Sequence, residues 1–382
     1  MKNIDHSLLE ARLREAVEKA SLLLKHDSIG VLCRKPLLDE DCPEASDVDL
    51  LSIWGRPEEY PERMLVETSL GRVFVDILWI PMAAMLNPVE SASYRMLPHL
   101  LLESQEVWIG SRAAAALINQ IRLNAHGRET WGRRVGSQIC FGDEALREAP
   151  RNLDFPPAAV FYLQTAHAYY IMALADSLRQ SVMSLRTHPV TRLRRMSVDA
   201  APGLEKLATS NLHLEAEPSP SLAALKRLYN AVNARCKSRK PLGIDPGTIG
   251  QYAYSLSPLE LEYREAFAEA LIRRGDLANA NFYLRFWAYS LSRCPIVLEE
   301  AERGVNPSFY VPYEPLKNSL LKACPEAFED LELILGGEIT RAEAEESIRG
   351  TLEFRRLVLN LVEAAGLQPH PVKKGFLNAK RE

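Results

Sequence analysis

The sequence contains no C-x-x-C pair, and its six cysteines (Cys33, Cys42, Cys140, Cys236, Cys294 and Cys324) stand far apart. That spacing excludes the common zinc-site patterns and a dense disulfide framework, and it fits thiols kept in a reducing cytoplasm. No apolar run reaches the roughly 18 residues that a bilayer-spanning helix needs. The opening M-K-N-I-D-H-S lacks the apolar centre of a secretory signal, so the expected location is cytoplasmic, with no membrane partner. An excess of positive charge is missing too: 46 Lys and Arg against 50 Asp and Glu leave a formal net charge of -4. Such a balance argues against a general nucleic-acid binder and leaves room only for local basic patches. No repeat of fixed period is found.

What is present is a chain of 382 residues, 47% apolar and 25% charged, long enough for two globular domains. Residues 7–25 read as a helix, with a Ser7–Glu10 capping box and Leu9, Leu13, Val17, Ala20 and Leu24 at helical spacing. Short β-branched and aromatic runs follow: S-I-G-V-L-C-R from Ser28, S-D-V-D-L-L-S-I-W from Ser46, and G-R-V-F-V-D-I-L-W-I from Gly71. A Pro-containing acidic loop, Pro36 to Ala45, joins the first two. Arg63–Glu67 and Arg72–Trp79 flank Ser69-Leu70-Gly71, a hairpin signal with glycine at the turn. Residues 91–104 return to helical periodicity before V-W-I-G at Val107, closing a small α-β-β-β-β-α unit near residue 111.

Beyond that point no strand is expected. Residues 112–124 and 157–186 are Ala- and Leu-rich with aromatics at helical intervals, and Leu222–Cys236 is another helix. Ser257-Pro258-Leu259-Glu260 supplies an N-cap, an N1 proline and an N3 glutamate for a helix reaching Gly275. Asp276–Cys294 and Ile296–Arg303 follow, and Thr340 with Glu343 opens a last helix ending near Gly366. The predicted class is α+β: an α/β domain with a short mixed sheet at 1–111, an all-α helical bundle at 112–367, and a loose tail at 368–382.

Asp47 and Asp49 lie two apart on one strand and so project from one face. Asp76 sits inside a third apolar run, where a carboxylate is costly without a cationic partner. Three acids placed this way suit a divalent metal, most naturally Mg²⁺, because hard cations take oxygen ligands and share them with phosphates.

S-D-V-D-L on a strand, followed some 27 residues later by a lone aspartate on another, resembles the DNA polymerase β-type nucleotidyltransferase superfamily. The resemblance is closest to its bacterial minimal and aminoglycoside-type members, which also carry a helical domain. It covers residues 7–111 by motif and the rest by architecture alone. It implies that Asp47, Asp49 and Asp76 are catalytic and hold two Mg²⁺, with an NTP, ATP first among the choices, as substrate. It also implies that nucleotide contacts come from the end of the first strand and the aspartate loop: Cys33, Arg34, Lys35 and Ser46. There the family has Gly-Ser, whose bare backbone approaches phosphate closely. This chain has Cys33-Arg34, so Arg34 and Lys35 would act through side-chain charge instead.

The expected activity is transfer of a nucleoside monophosphate to a hydroxyl of a small molecule, such as an antibiotic or a sugar-bearing metabolite, bound between the two domains. The alternatives are a macromolecular acceptor (a tRNA 3′ end or a protein hydroxyl) and a non-catalytic nucleotide sensor. The basic runs Arg186–Arg195 and Arg235–Lys240 would serve the macromolecular reading, although each also reads as a solvated helix end or charged loop. His167 with Tyr169 and Tyr170 reads as helix core before it reads as an acceptor pocket. Arg122 and His126 are too close together for the R-x₄₋₆-H ribonuclease signature. The oligomeric state is not legible.

Overall fold

A computed structural model describes residues 6–26, 28–34, 43–53, 63–94, 96–180, 182, 188–200, 203–236, 255–304 and 312–367. They form an α+β structure with one five-stranded mixed sheet, in the order β3-β4-β2-β1-β5. The strands are β1 (Gly30–Arg34), β2 (Val48–Ile53), β3 (Arg63–Thr68), β4 (Gly71–Ile80) and β5 (Ser104–Ile109). β2 and β4 run parallel, while the β1–β2, β1–β5 and β3–β4 pairs are antiparallel. Val107, Trp108 and Ile109 of the V-W-I-G segment lie in the edge strand β5. Among the described residues no helix is long and apolar enough to cross a membrane.

The chain divides into two compact units that alternate along the sequence. The first comprises Met1–Met82, Ser104–Ala114 and Glu215–Glu338, and the second comprises Ala83–Glu103, Ala115–Leu214 and Ile339–Glu382. Residues 215–338, grouped from sequence with the helical domain, therefore fall in the unit that holds the sheet.

In the first unit, α1 (His6–Leu24) lays Leu13, Ala16, Ala20 and Leu24 on one face of the sheet, against Val31, Cys33, Val48, Leu50, Val73, Val75 and Ile77. The period-2 alternation of strands sends the intervening residues to the opposite face. That face carries Asp49, Phe74 and Asp76, and the ring of Phe74 meets Tyr263 of the Pro258–Arg273 helix edge-on, with centroids 5.4 Å apart. The Pro258–Arg273 helix has Ser257 at its N-cap position, but no cap bond from the Ser257 side chain. Its N3 glutamate is not a cap either: Glu260 is fully buried and turns inward. Gly275 ends the helix in the left-handed region (φ 74°), and the Asp276 side chain caps the Leu277–Ser292 helix through the Asn279 N–H. Pro295 opens the Cys294–Glu302 helix.

In the second unit, the Pro156–Ser177 helix is buried on nearly every side, as its apolar circumference requires. It ends at Ser177, short of the expected 186, and packs against Arg128–Glu148 and Arg341–Ala364. Arg128–Glu148 lies in the region expected to be all helical but was not singled out as a helix, and Gly132, Gly136 and Gly142 weaken helix propensity there. Tertiary packing overrides them: a Cβ at Gly142 would stand 2.5 Å from Cε1 of Tyr170, so the glycine lets the two helices approach. Tyr170 cannot give way, since it is fully buried and donates to Asp143 Oδ1 at 2.7 Å. Asp176 meets the Arg134 guanidinium at 3.0 and 3.1 Å, and Arg134 also donates to the carbonyls of Ala92 and Ala125. His167 is core, as its surroundings in the sequence suggested. Its Nε2 is 3.0 Å from Thr351 Oγ1, and burial pushes its pKa down to about 3. The Thr340–Glu343 capping box is present as expected.

Gly142→Val should lower the unfolding free energy by about 1–3 kcal/mol through overpacking against Tyr170, read as a shift in urea midpoint with unchanged slope.

Candidate metal centre

Asp49 and Asp76 reach each other through strand register. β2 and β4 pair in parallel with Asp49 directly opposite Asp76, so two carboxylates stand level on adjacent strands. Asp47 lies just before β2, after a short 3₁₀ turn at Pro43–Ala45, and follows Asp49 to the same place. One carboxylate oxygen from each of the three lies within 4.8 Å of the others, and all three residues are half-buried. The sequence reading named these three, and the structure gathers them.

The other named residues divide. Arg34, at the end of β1, donates from Nη1 to Asp49 Oδ2 at 2.8 Å with about a quarter of its side chain exposed. Cys33 points the opposite way, into the core beneath α1 with 1% exposure. Its thiol therefore faces away from the aspartates, because adjacent residues on a strand take opposite faces. Ser46 is half-buried beside Asp47, with its N–H directed to the carbonyl of Pro43. Lys35 lies outside the described residues, as does the basic stretch from Lys237.

Sequence reasoning missed the cation at the centre. Arg63 opens β3 and is 2% exposed. Its Nη2 donates to Asp76 Oδ2 at 2.6 Å, its Nη1 is 3.5 Å from Asp47 Oδ2, and its Nε is 2.6 Å from Glu260 Oε2. The guanidinium plane lies over the Tyr263 ring, 3.7 Å from its centroid, with Phe74 beyond at 5.9 Å. A signal for it existed. The two-residue turn at Ser69-Leu70 pairs Thr68 with Gly71, and counting back along that hairpin sets Arg63 opposite Asp76. Gly71 permits the turn by taking a φ of 113°.

Glu260 needs its own support, being fully buried. Arg264, one helical turn on, pairs with it through Nε and donates from Nη1 to the Tyr283 hydroxyl at 2.8 Å. Arg264 also rests over Trp287, 4.7 Å from the ring centroid. The ion pairs run from Asp47 and Asp76 through Arg63 and Glu260 to Arg264, and the Arg34–Asp49 pair stands beside them, so four carboxylates and three guanidinium groups cluster here.

The electrostatics follow from that arrangement. Burial, and then the neighbouring Asp49 charge, push the Asp47 carboxyl up to about 6, against the opposing pull of Arg63 and a hydrogen bond from Tyr263. Burial raises Asp76 well above the ordinary carboxylate range; Arg63 works against it, while Asp47 and Glu260 work with it. Burial holds the Tyr263 phenol well above its usual value.

The donor set fits a hard divalent cation. Two carboxylates from paired strands and a third just before β2 offer converging oxygens, and the remaining positions of an octahedral ion would fall to water or phosphate.

No protein-family model matches the chain, and no curated protein matches it.

Two outcomes are expected from the network. Arg63→Leu leaves Glu260 and Asp76 without their shared partner and should cost about 3–5 kcal/mol of stability, whereas Arg34→Gln should cost under about 1 kcal/mol, because that pair is partly solvated. Equilibrium urea unfolding of the two variants decides the ranking. Asp47 is raised in the folded chain and ordinary in the unfolded one, so the folded form holds the extra proton between those values. Its stabilisation is therefore present below roughly pH 4 and lost as pH rises through about 6. Asp47→Asn should remove part of that slope in urea midpoints measured from pH 4 to 7.

Proposed function

We propose that the protein is a Mg²⁺-dependent nucleotidyltransferase that moves a nucleoside monophosphate from an NTP, with ATP the first to test, onto a hydroxyl of a small molecule. One observation carries this reading: Asp49 and Asp76 are register partners on parallel strands, and Asp47 joins them with all three ligand oxygens within 4.8 Å. That constellation is the one the resemblance to polymerase β-type enzymes calls for, and the mixed sheet with a helix on one face agrees with it.

Asp47, Asp49 and Asp76 would hold the metal, which supplies charge neutralisation for a triphosphate and for the leaving pyrophosphate. In the reaction the acceptor oxygen forms a bond to the α-phosphorus as the bond to the β-phosphate bridge breaks, and pyrophosphate departs with that electron pair. The acceptor's hydroxyl proton passes to a carboxylate. Asp76 suits that task, because burial strengthens its basicity. Arg34 lies at the partly exposed rim and could exchange Asp49 for a phosphate oxygen, a charge-assisted contact that compensates for the missing Gly-Ser backbone. Arg63 and Tyr263 hold Asp76 and Asp47 in place from behind, the role of groups that fix a ligand's orientation.

A second reading has its own support. Both Asp49 and Asp76 already have guanidinium partners, and Cys33 points away from the site, which favours a protein that binds nucleotide without turning it over.

The deciding measurement is Mg²⁺-dependent pyrophosphate release from each NTP with a panel of hydroxylated small molecules and with bulk tRNA. Wild-type release that falls about 10³-fold in both Asp49→Ala and Asp76→Ala is expected, since a lost metal ligand removes several kcal/mol of transition-state stabilisation. Mg·ATP binding without release by any acceptor would favour the second reading. Release that survives both substitutions would sink the first.

A further inference from the structure

We propose that Arg63 permanently occupies one of the two cation positions among the triad carboxylates, so that this centre takes a single divalent ion where two would otherwise bind. The inference rests on the reading of Asp47, Asp49 and Asp76 as a metal centre and concerns how many ions that centre admits.

Asp47, Asp49, Asp76 and Glu260 face Arg34, Arg63 and Arg264, which leaves one net negative charge among the described groups of the network. One divalent ion carrying phosphate oxygens is compatible with that remainder. Two such ions beside three guanidinium groups would crowd like charges in a poorly solvated place.

The two arginines that touch the triad differ in how firmly they are held. Arg34 has a partly exposed side chain and donates to Asp49 near the solvent, where a phosphate oxygen can compete for it. Arg63 has no such exit. Its guanidinium bridges Asp47 and Asp76 on one edge, is held by Glu260 on another, and is covered by the Tyr263 ring on its face. Glu260 is itself anchored by Arg264, which is fastened to Tyr283. Moving Arg63 aside would strand Glu260, which is fully buried, beside a single partner. An arginine stays charged at any working pH, so it cannot step aside by losing its proton either.

A second ion in a two-metal site needs a carboxylate that bridges both ions about 3.5–4 Å apart. Asp47 and Asp76 would have to provide oxygens for it, and in both the Oδ2 atom is turned to Arg63. The guanidinium therefore stands where the second ion would draw its ligands. The substrate consequence is that charge on the triphosphate must be met partly by arginine, with Arg34 the exchangeable group.

Native mass spectrometry of the full chain counts Mn²⁺ directly, first with Mn²⁺ alone and then with a non-hydrolysable nucleoside triphosphate. The expected count on the wild type is one ion in both conditions, with none on Asp49→Asn. Arg63→Gln/Glu260→Gln removes the blocking cation together with the carboxylate it would strand, and should admit a second ion, seen also as an exchange-coupled Mn²⁺ pair by electron paramagnetic resonance. Two ions on the wild type would overturn the proposal and leave the metal-centre reading intact. No ion on the wild type would overturn both. A single ion on the folded double variant would overturn the role given to Arg63. The wild-type count decides alone should the double variant fail to fold.

Discussion

A guanidinium buried to 2% exposure needs opposite charge around it or it destabilises the fold, and Arg63 has three carboxylates within ion-pair distance: Asp76 on β4, Asp47 just before β2, and Glu260 on a helix. The sheet supplies Asp47 and Asp76, and the Pro258–Arg273 helix supplies Glu260. Neither side is tolerable alone: the aspartates repel one another, and a buried glutamate needs a counter-charge. The requirement explains why a helix remote in sequence lies over the acidic face, with Tyr263 and Phe74 packed around the charge. Replacing such a network by apolar residues could leave stability unchanged, whereas removing one member does not, so its value lies in fixing positions.

The two faces of the sheet hold opposite chemistry because side chains alternate. Val31, Cys33, Leu50 and Val75 go under α1, while Arg34, Asp49, Phe74 and Asp76 go to the other side. A slip of one residue in β4 would place Asp76 in the core and Val75 at the metal centre, so the hydrophobic packing under α1 sets the register of the carboxylates. Stability and site geometry are thus the same constraint seen from two sides.

Much of this was legible locally. The strand runs, the hairpin at Ser69-Leu70-Gly71 and the pairing of Asp47 with Asp49 follow from alternation and turn chemistry, and the third aspartate stood out as a charge in an apolar run. Arg63 was legible only by carrying the hairpin register back to the start of β3, a step beyond recognising the hairpin. Glu260 was hidden for a different reason. Its place three residues after Ser257 has the pattern of a cap, and nothing local distinguishes a glutamate that closes a helix end from one drawn inward by a distant arginine. Cys33 shows the converse: a motif position aligned along the strand still belongs to whichever face the alternation assigns. The return of residues 215–338 to the sheet unit had no signal in periodicity, because an amphipathic helix does not encode its partner.

That return has a consequence for synthesis of the chain. Arg63 leaves the ribosome well before its partner Glu260, and at roughly 5–20 residues per second the interval is on the order of 10–40 s. During that time the nascent sheet can bury its α1 face but has no lid for the acidic one, and the intervening segment has room to form its own helices first. The two units therefore cannot mature in strict N-to-C order. A nascent chain halted before residue 260 would carry an unfinished acidic face, with Arg63 still lacking one of its carboxylates.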